Sequence, residues 1–426
     1  MSERTILVWF RNDLRVHDNE ILLEATRKAD KILPVYCFDP HYFTKTESGY
    51  KTGNIRTQFL LQSVANLRER LQSLGGNLLI VHGSPAELIP QLAEQYQVSE
   101  VYHHREVAFE ETNISEEVEA ALWKMKLNLK HFIGHTLYHK EDLPFPIKDI
   151  PDSFNTFKKK VERDSSVRPC LTIPEHIVTP LIADAGELPT LEQLGLTEPV
   201  QDPRASFKFE GGETAGLLQL EGYFTVNAVA GGGKASRNAA SSKLSPWLAL
   251  GCVSPRQVYW EIINHGQSAH NHPLMLELLW RDYFRFMFKK YSHKFFEAEG
   301  FKAAAPELAA NQEELFEQWK TGSTGAPFID ASMHELNATG FISNASRQAV
   351  SVYLVKNLKV NWTWGARWFE EKLIDYSAAS NWGNWAYIAG VGNDPRENRY
   401  FSPKNLADLD PKGEYAKLWL TEENVA

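Results

Sequence analysis

The sequence predicts two joined architectures, an α/β N-terminal domain built on a doubly wound parallel sheet and an all-α C-terminal domain. Three observations point there. Short apolar runs alternate with helix-period stretches up to residue 134, nine prolines interrupt any pattern between 135 and 207, and helix-period segments dominate from 208 to 426. Alternating strands and helices bury a parallel sheet between two helical layers, whereas successive amphipathic helices pack on one another.

In chain order, residues 5–10, 33–38, 78–81, 100–103 and 129–132 are short and apolar, as doubly covered strands are. Between them, residues 56–74, 85–96 and 112–125 repeat apolar side chains every three or four positions, the spacing of one helix face. No GxGxxG follows the first strand, so nothing supports a dinucleotide site in this domain. The charged loop 11–15 has two readings, a domain interface or a solvated loop capping a helix. Residues 135–207 read as an interdomain linker, with Lys158, Lys159 and Lys160 as solvated surface.

In the C-terminal part, residues 214–224 space Leu217, Leu218, Leu220 and Tyr223 helically. The glycines before Lys234 are not a phosphate-binding P-loop: Ala228 stands where its first glycine belongs, and Ala235 follows the lysine. Ser241, Ser242, Lys243, Leu244 and Ser245 open into Pro246 and a helix. Hydroxyls and N–H groups there suit a phosphate, but ordinary capping accounts for the same residues and is the better reading of them alone. Residues 274–291 form the strongest helix, with an apolar stripe of Leu276, Leu279, Tyr283, Phe286 and Met287. Glu277 and Trp280 project from one side of it. They suit either the wall of a polar-aromatic pocket or a Glu277–Arg281 ion pair. Arg285, Lys289, Lys290 and Lys294 make a modest basic patch, more often a solvated helix end than a phosphate contact.

Residues 340–364 and 367–373 continue the helical pattern, and Arg347 and Asp375 are placed to form a buried ion pair beside a ligand. Residues 375–401 gather Trp382, Trp385, Tyr387, Tyr400 and Phe401 among Gly383, Gly390 and Gly392, with Asn381, Asn384 and Asn393 interleaved. Such a mix is poor material for a long helix. Glycines beside aromatic rings let backbone approach something flat, and a flavin is the expectation.

Hydrophobic content of 43% and charged content of 23% are those of an ordinary globular protein. Ten of the twelve tryptophans lie in the last 180 residues, which assigns the two halves different tasks. A net charge of −9 excludes a general nucleic-acid-coating protein but not a local basic face. Cys37, Cys170 and Cys252 are too scattered for a disulfide framework or a zinc motif, and no metal is expected. With no signal-peptide core and no membrane-length apolar run, a cytoplasmic protein is the expectation.

Four segments, VWFRNDLRVHDNEIL, LSPWLALGCVSPRQV, ELLWRDYFRF and the run from GFISNASRQ to GNDPRENRYF, resemble the photolyase/cryptochrome family. NWGNWAYIAGVGNDPRENRYF is most similar to its cryptochrome DASH branch. The resemblance covers essentially the whole chain and is weakest between 140 and 210. It implies a helical domain holding a U-shaped FAD behind an α/β domain. It also implies a deoxyribodipyrimidine photolyase, in which blue light drives an electron from reduced flavin into a cyclobutane pyrimidine dimer. The DASH branch implies dimers in single-stranded or looped DNA, where no base need leave an intact duplex; a monomer is the expectation. The alternative is a blue-light photoreceptor that signals without repair; the chain ends soon after residue 420 without the long extension usual for that class. A flavin-binding redox protein without lesion chemistry is a third reading.

Carried over residue by residue, the resemblance implies that Ser241, Ser242, Lys243, Leu244 and Ser245 grip the FAD phosphates, against the capping reading. Glu277 matches the carboxylate that hydrogen-bonds the dimer, and Trp280 the ring packed against it. Arg281 and Asn344 match flavin-pocket positions, Arg347 and Asp375 the ion pair beside the isoalloxazine, and Asn381 the residue facing flavin N5. Trp385 and Trp362 match the first two members of the electron-transfer chain. The sequence departs from the family at Ala309, where a third tryptophan is expected, and at Ser377, where a second acid is common. It departs again at Gly231, Gly232 and Gly233, where a tyrosine usually precedes the phosphate-binding segment. For a folate antenna (methenyltetrahydrofolate), Glu106 and Glu110 lie in the corresponding region.

Overall fold

The computed structural model describes residues 3–46, 49–229, 241–270, 272–301, 307–392 and 406–421. The glycines at 231–233 and Asn393, Tyr400 and Phe401 lie outside the described residues.

The N-terminal region contains β1 (Thr5–Phe10), β2 (Lys31–Phe38), a hairpin of β3 (Lys45–Thr46) and β4 (Gly49–Tyr50), β5 (Leu79–His82), β6 (Val98–His104) and β7 (Leu129–Phe132). Its helices are α1 (Glu20–Lys28), α2 (Asn54–Ser73), α3 (Pro85–Gln95) and α4 (Phe109–Lys124). Five strands form one sheet in the order β5-β2-β1-β6-β7, every pair parallel. The order reverses direction at β1, which makes the sheet doubly wound. Side chains alternate along β1 as the pleat requires. Ile6, Val8 and Phe10 share a core with Ile21 of α1 and Phe59 of α2, while Leu7 and Trp9 meet Leu92 of α3 and Val118 of α4. The sequence reading missed α1, whose N-cap Asn19 accepts from the Leu22 N–H.

The linker is more ordered than its prolines imply. It contains α5 (Phe154–Asp164), which buries Phe154, Phe157 and Val161, while Lys159 and Lys160 are exposed. There follow α6 (Glu213–Val229), α7 (Ser245–Ala249), α8 (Pro255–Asn264), α9 (Pro273–Tyr291), α10 (Gln312–Thr321), α11 (Pro327–Thr339), α12 (Asn344–Val352), α13 (Trp362–Lys372), α14 (Ala378–Ala389) and α15 (Glu414–Leu420).

Several expectations need correcting. Residues 340–364 are not one helix: α12 ends in a π turn, Tyr353–Asn357, and α13 starts afresh at Trp362, where the Asn361 side chain accepts from the Thr363 N–H. Leu276 is 42% exposed and leaves the apolar stripe of α9. The basic patch on α9 is only in part a solvated end: Lys294, past the helix, is exposed, but two others are engaged. Arg285 is buried against Glu106 at 2.8 Å, and Lys290 bonds Asp152 at 2.8 Å. The glycine- and asparagine-rich stretch does form a three-turn helix, α14, because packing overrides propensity there. A Cβ on Gly383 would lie 2.3 Å from the Phe284 ring, so only glycine lets α14 close against α9.

The charged loop after β1 proves to be the joint between the two regions. Asp13 and Arg15 are buried, and the Leu14 N–H donates to the Leu250 carbonyl at 3.1 Å. Arg15 donates to the carbonyls of His17, Asp18, Gly134 and Gly251, which engages four of its five N–H donors without a carboxylate. Glu213 of α6 accepts from the backbone N–H groups of Val16 and His17, both at 3.0 Å. Gly251 sits at φ +64°, and a Cβ there would lie 2.0 Å from the Asn12 carbonyl oxygen.

Candidate flavin and DNA-lesion site

Helix α9 runs through the centre of the site. Trp280 is half-buried, with Tyr387 of α14 edge-on to its ring at 5.6 Å. Glu277 is exposed and does not pair with Arg281. Surrounding protein pushes its carboxyl up to about 7 against the pull of the Arg347 charge. Arg281 instead donates to the carbonyls of His135 and, at 2.9 Å, Leu248, and burial pulls its guanidinium down to about 9. Asp282 accepts from the Leu137 and Tyr138 N–H groups at 2.9 Å each, fixing the linker to α9.

The expected Arg347–Asp375 pair forms, Nη2 to Oδ2 at 2.8 Å. Asp375 Oδ1 is buried with no hydrogen-bond partner among the described residues. A buried carboxylate oxygen left this way is a vacancy for a donor, and the N–H of an isoalloxazine ring is such a donor. Asn381 is buried, and its amide NH2 donates to the Ala366 carbonyl at 2.9 Å. One N–H and the carbonyl oxygen of that amide remain for a ligand, so Asn381 can donate or accept. Ser377 begins α14 without a side-chain capping bond. Asn344 is exposed at the first position of α12.

The segment at 241–245 is not a simple cap. Leu244 holds the N-cap position, while the Ser241 and Ser242 hydroxyls accept from the N–H groups of Lys243 and Leu244 at 3.4 Å. Lys243 adopts φ +53° and its ammonium lies 4.7 Å from the Phe207 ring centre. Trp385 and Trp362 are both buried. Trp385 meets Trp319 at 6.2 Å and Phe369 at 5.2 Å, while Trp362 meets Trp382 at 5.8 Å. They are not a direct ring pair. The Ala309 N–H donates to the Lys359 carbonyl, three residues before Trp362.

A cavity of about 630 Å³ opens at the carboxyl ends of β1, β2 and β6, the switch point of the sheet. Arg11, Asp39 and Glu106 line one side, and Ser377 and Trp382 line the other. Glu110 lines it too, bonded to Lys51 and with its carboxyl lowered to about 2 by His41 and then Lys51. Glu111, which the sequence reading missed, has its carboxyl pushed up by burial and by the neighbouring Glu106 charge. Among the described residues no cluster of His, Cys, Asp and Glu is arranged to hold a metal ion, and no helix is long and apolar enough to cross a membrane.

The chain thus joins a doubly wound α/β region with a switch-point cavity to a helical region with an open buried acceptor. Residues 6–176 match the family model of DNA photolyase, and residues 274–425 match that of the FAD binding domain of DNA photolyase. A cryptochrome DASH of Gloeobacter violaceus is 45% identical over 99% of this chain and 86% of its own length. The crystal structure of a Synechocystis sp. cryptochrome superposes with a TM-score of 0.91 at 44% identity, covering 99% of this chain and 89% of that one. An archaeal photolyase from Sulfolobus tokodaii, crystallised with two FAD molecules, superposes at 0.82 with 26% identity, covering 98% and 90%. The chain belongs to the photolyase/cryptochrome family, in its cryptochrome DASH branch, and its cofactor is FAD.

Proposed function

We propose that the protein is a DASH-type deoxyribodipyrimidine photolyase that repairs cyclobutane pyrimidine dimers, preferentially in single-stranded or looped DNA, acting as a cytoplasmic monomer. The observation that carries this reading is the Arg347–Asp375 pair with one buried carboxylate oxygen left open, while Glu277 and Trp280 stand together on α9. Bound and reduced, FAD supplies the electron that light drives into the dimer. The chain's own residues bind and orient. Ser241, Ser242, Lys243, Leu244 and Ser245 hold the phosphates, with Arg281, Asn344 and Ser377 around the cofactor. Asp375 Oδ1 would accept from the isoalloxazine N–H, and Asn381 would serve N5 with an amide that can donate or accept.

Glu277, with its carboxyl raised to about 7, is partly protonated near neutral pH and then donates an O–H to a pyrimidine carbonyl. Trp280 offers the apolar surface against which the dimer packs. Trp385 and Trp362 carry electrons inward when the cofactor is photoreduced. The switch-point cavity, with Glu106 and Glu110 in its wall, is where a folate antenna would sit.

The test is blue-light repair of dimer-containing single-stranded oligonucleotides by the purified, reduced protein. Glu277→Ala is expected to lower the repair rate by at least roughly tenfold, the loss of one hydrogen bond to a charged or strongly polarised group. Flavin-loaded wild type without any repair would sink the reading and leave the signalling alternative. Trp385→Phe is expected to slow photoreduction with FAD still bound; loss of the flavin on purification would make Trp385 a packing residue. A near-ultraviolet shoulder beside the flavin bands would reveal the antenna.

A further inference from the structure

The linker helix α5 reaches the proposed lesion site. Phe154 stacks face to face on Trp280, with ring centroids 3.6 Å apart and planes 8° from parallel. Tyr283 and Tyr387 meet the same indole edge-on at 5.8 and 5.6 Å, and Phe284 lies alongside at 5.5 Å. The turn leading into α5 is held to α9 by polar contacts as well. The Tyr283 hydroxyl donates to the Asp152 carbonyl, and the Lys290 ammonium and Tyr291 hydroxyl both donate to Asp152 Oδ1 at 2.8 Å. Phe157, one turn further along α5, packs against Tyr283 and Phe286. Phe154 is thus part of a fixed element rather than a loose linker.

An indole has two faces. Phe154 covers one of them, and Phe284, tilted 30° at 5.5 Å, with the edge-on Tyr283 and Tyr387 holds the ring plane further. An indole free to rotate would lose that freedom on meeting a pyrimidine, and the stack removes this loss beforehand. We propose that Phe154 is a positioning residue that sets the plane of Trp280 for recognition of the pyrimidine dimer. The inference rests on the reading of Trp280 as the lesion wall.

The test is equilibrium binding in the dark of FAD-loaded protein to a single-stranded oligonucleotide with one dimer and to the same oligonucleotide undamaged. Phe154→Leu and Phe154→Met keep an apolar side chain but lose the ring. Both are expected to reduce the preference for the dimer by roughly two- to tenfold, the range of an aromatic stacking interaction. Flavin content and affinity for undamaged DNA are expected to stay unchanged. Phe154→Tyr keeps the stack and restores the preference, and Phe154→Leu adds no further loss to Trp280→Ala. If Trp280→Ala abolishes the preference while Phe154→Leu and Phe154→Met leave it intact, Phe154 is only packing and the inference is overturned. Parallel losses of flavin and of undamaged-DNA binding overturn it as well. If Trp280→Ala itself leaves the preference intact, the lesion-wall reading fails and the inference falls with it.

Discussion

Two carboxylates in different regions each meet an arginine at 2.8 Å, Glu106 with Arg285 at the joint and Asp375 with Arg347 in the helical region. Both are buried, yet they are completed differently. Glu106 uses both oxygens: Oε2 accepts from Arg285, and Oε1 accepts from Asn12 at 3.0 Å with the His135 ring nitrogen 3.3 Å away. Burial alone would raise its carboxyl, but His135 and Arg285 outweigh that and hold it well below the usual range. Asp375 uses one oxygen and leaves the other without a partner among the described residues. A closed pair holds a fold together, whereas a half-open pair keeps a place for something else.

Arg285→Met should break the closed pair and have the largest effect. Removing one partner strands a buried charge and is expected to cost about 3–5 kcal/mol of stability, read from denaturant unfolding. The folded fraction should still bind FAD. Asp375→Asn is expected to spare the fold more and to weaken FAD binding by roughly tenfold or more, since it removes a charged acceptor. Unchanged FAD affinity would show that the vacant oxygen serves no ligand.

The smallest expected effect concerns Glu277. Its carboxyl is raised in the folded protein, so the stability it contributes is complete below the unfolded value near pH 4 and is lost as pH rises to about 7. Glu277→Gln, which cannot ionise, should therefore match wild-type stability near pH 4 and modestly exceed it at pH 8. Equal melting temperatures at pH 8 would mean that solvent screens this carboxylate fully.

The sequence revealed the closed and open regions unequally. The five strands of the parallel sheet were legible because doubly covered strands are continuous apolar runs, and each was placed within two residues of its bounds; the short hairpin β3–β4 was missed. Arg347 and Asp375, 28 residues apart, were legible as a pair because each stands at the edge of a helical pattern. Glu106 and Arg285, 179 residues apart, carry no local sign of meeting. α5 was hidden by surrounding prolines, although Phe154, Phe157 and Val161 stand at helical spacing and would have revealed it. α14 was misjudged for the opposite reason: Gly383 looks like a helix breaker, and the space it leaves for Phe284 belongs to tertiary structure.

Arg15 has a consequence for how the chain is made. Two of its four acceptors are local, one belongs to Gly134, and the last belongs to Gly251, 236 residues downstream. Val16 and His17 likewise wait for Glu213. As the chain leaves the ribosome N-terminus first, the sheet can assemble early, but the turn after its first strand stays hydrated and incomplete until residue 251 has emerged. Final docking of the halves is then a late event that closes a very long loop, a step that is slow because its contacts are so distant in sequence. A nascent chain stalled before residue 251 should present the 11–19 turn to protease, and one released beyond it should not.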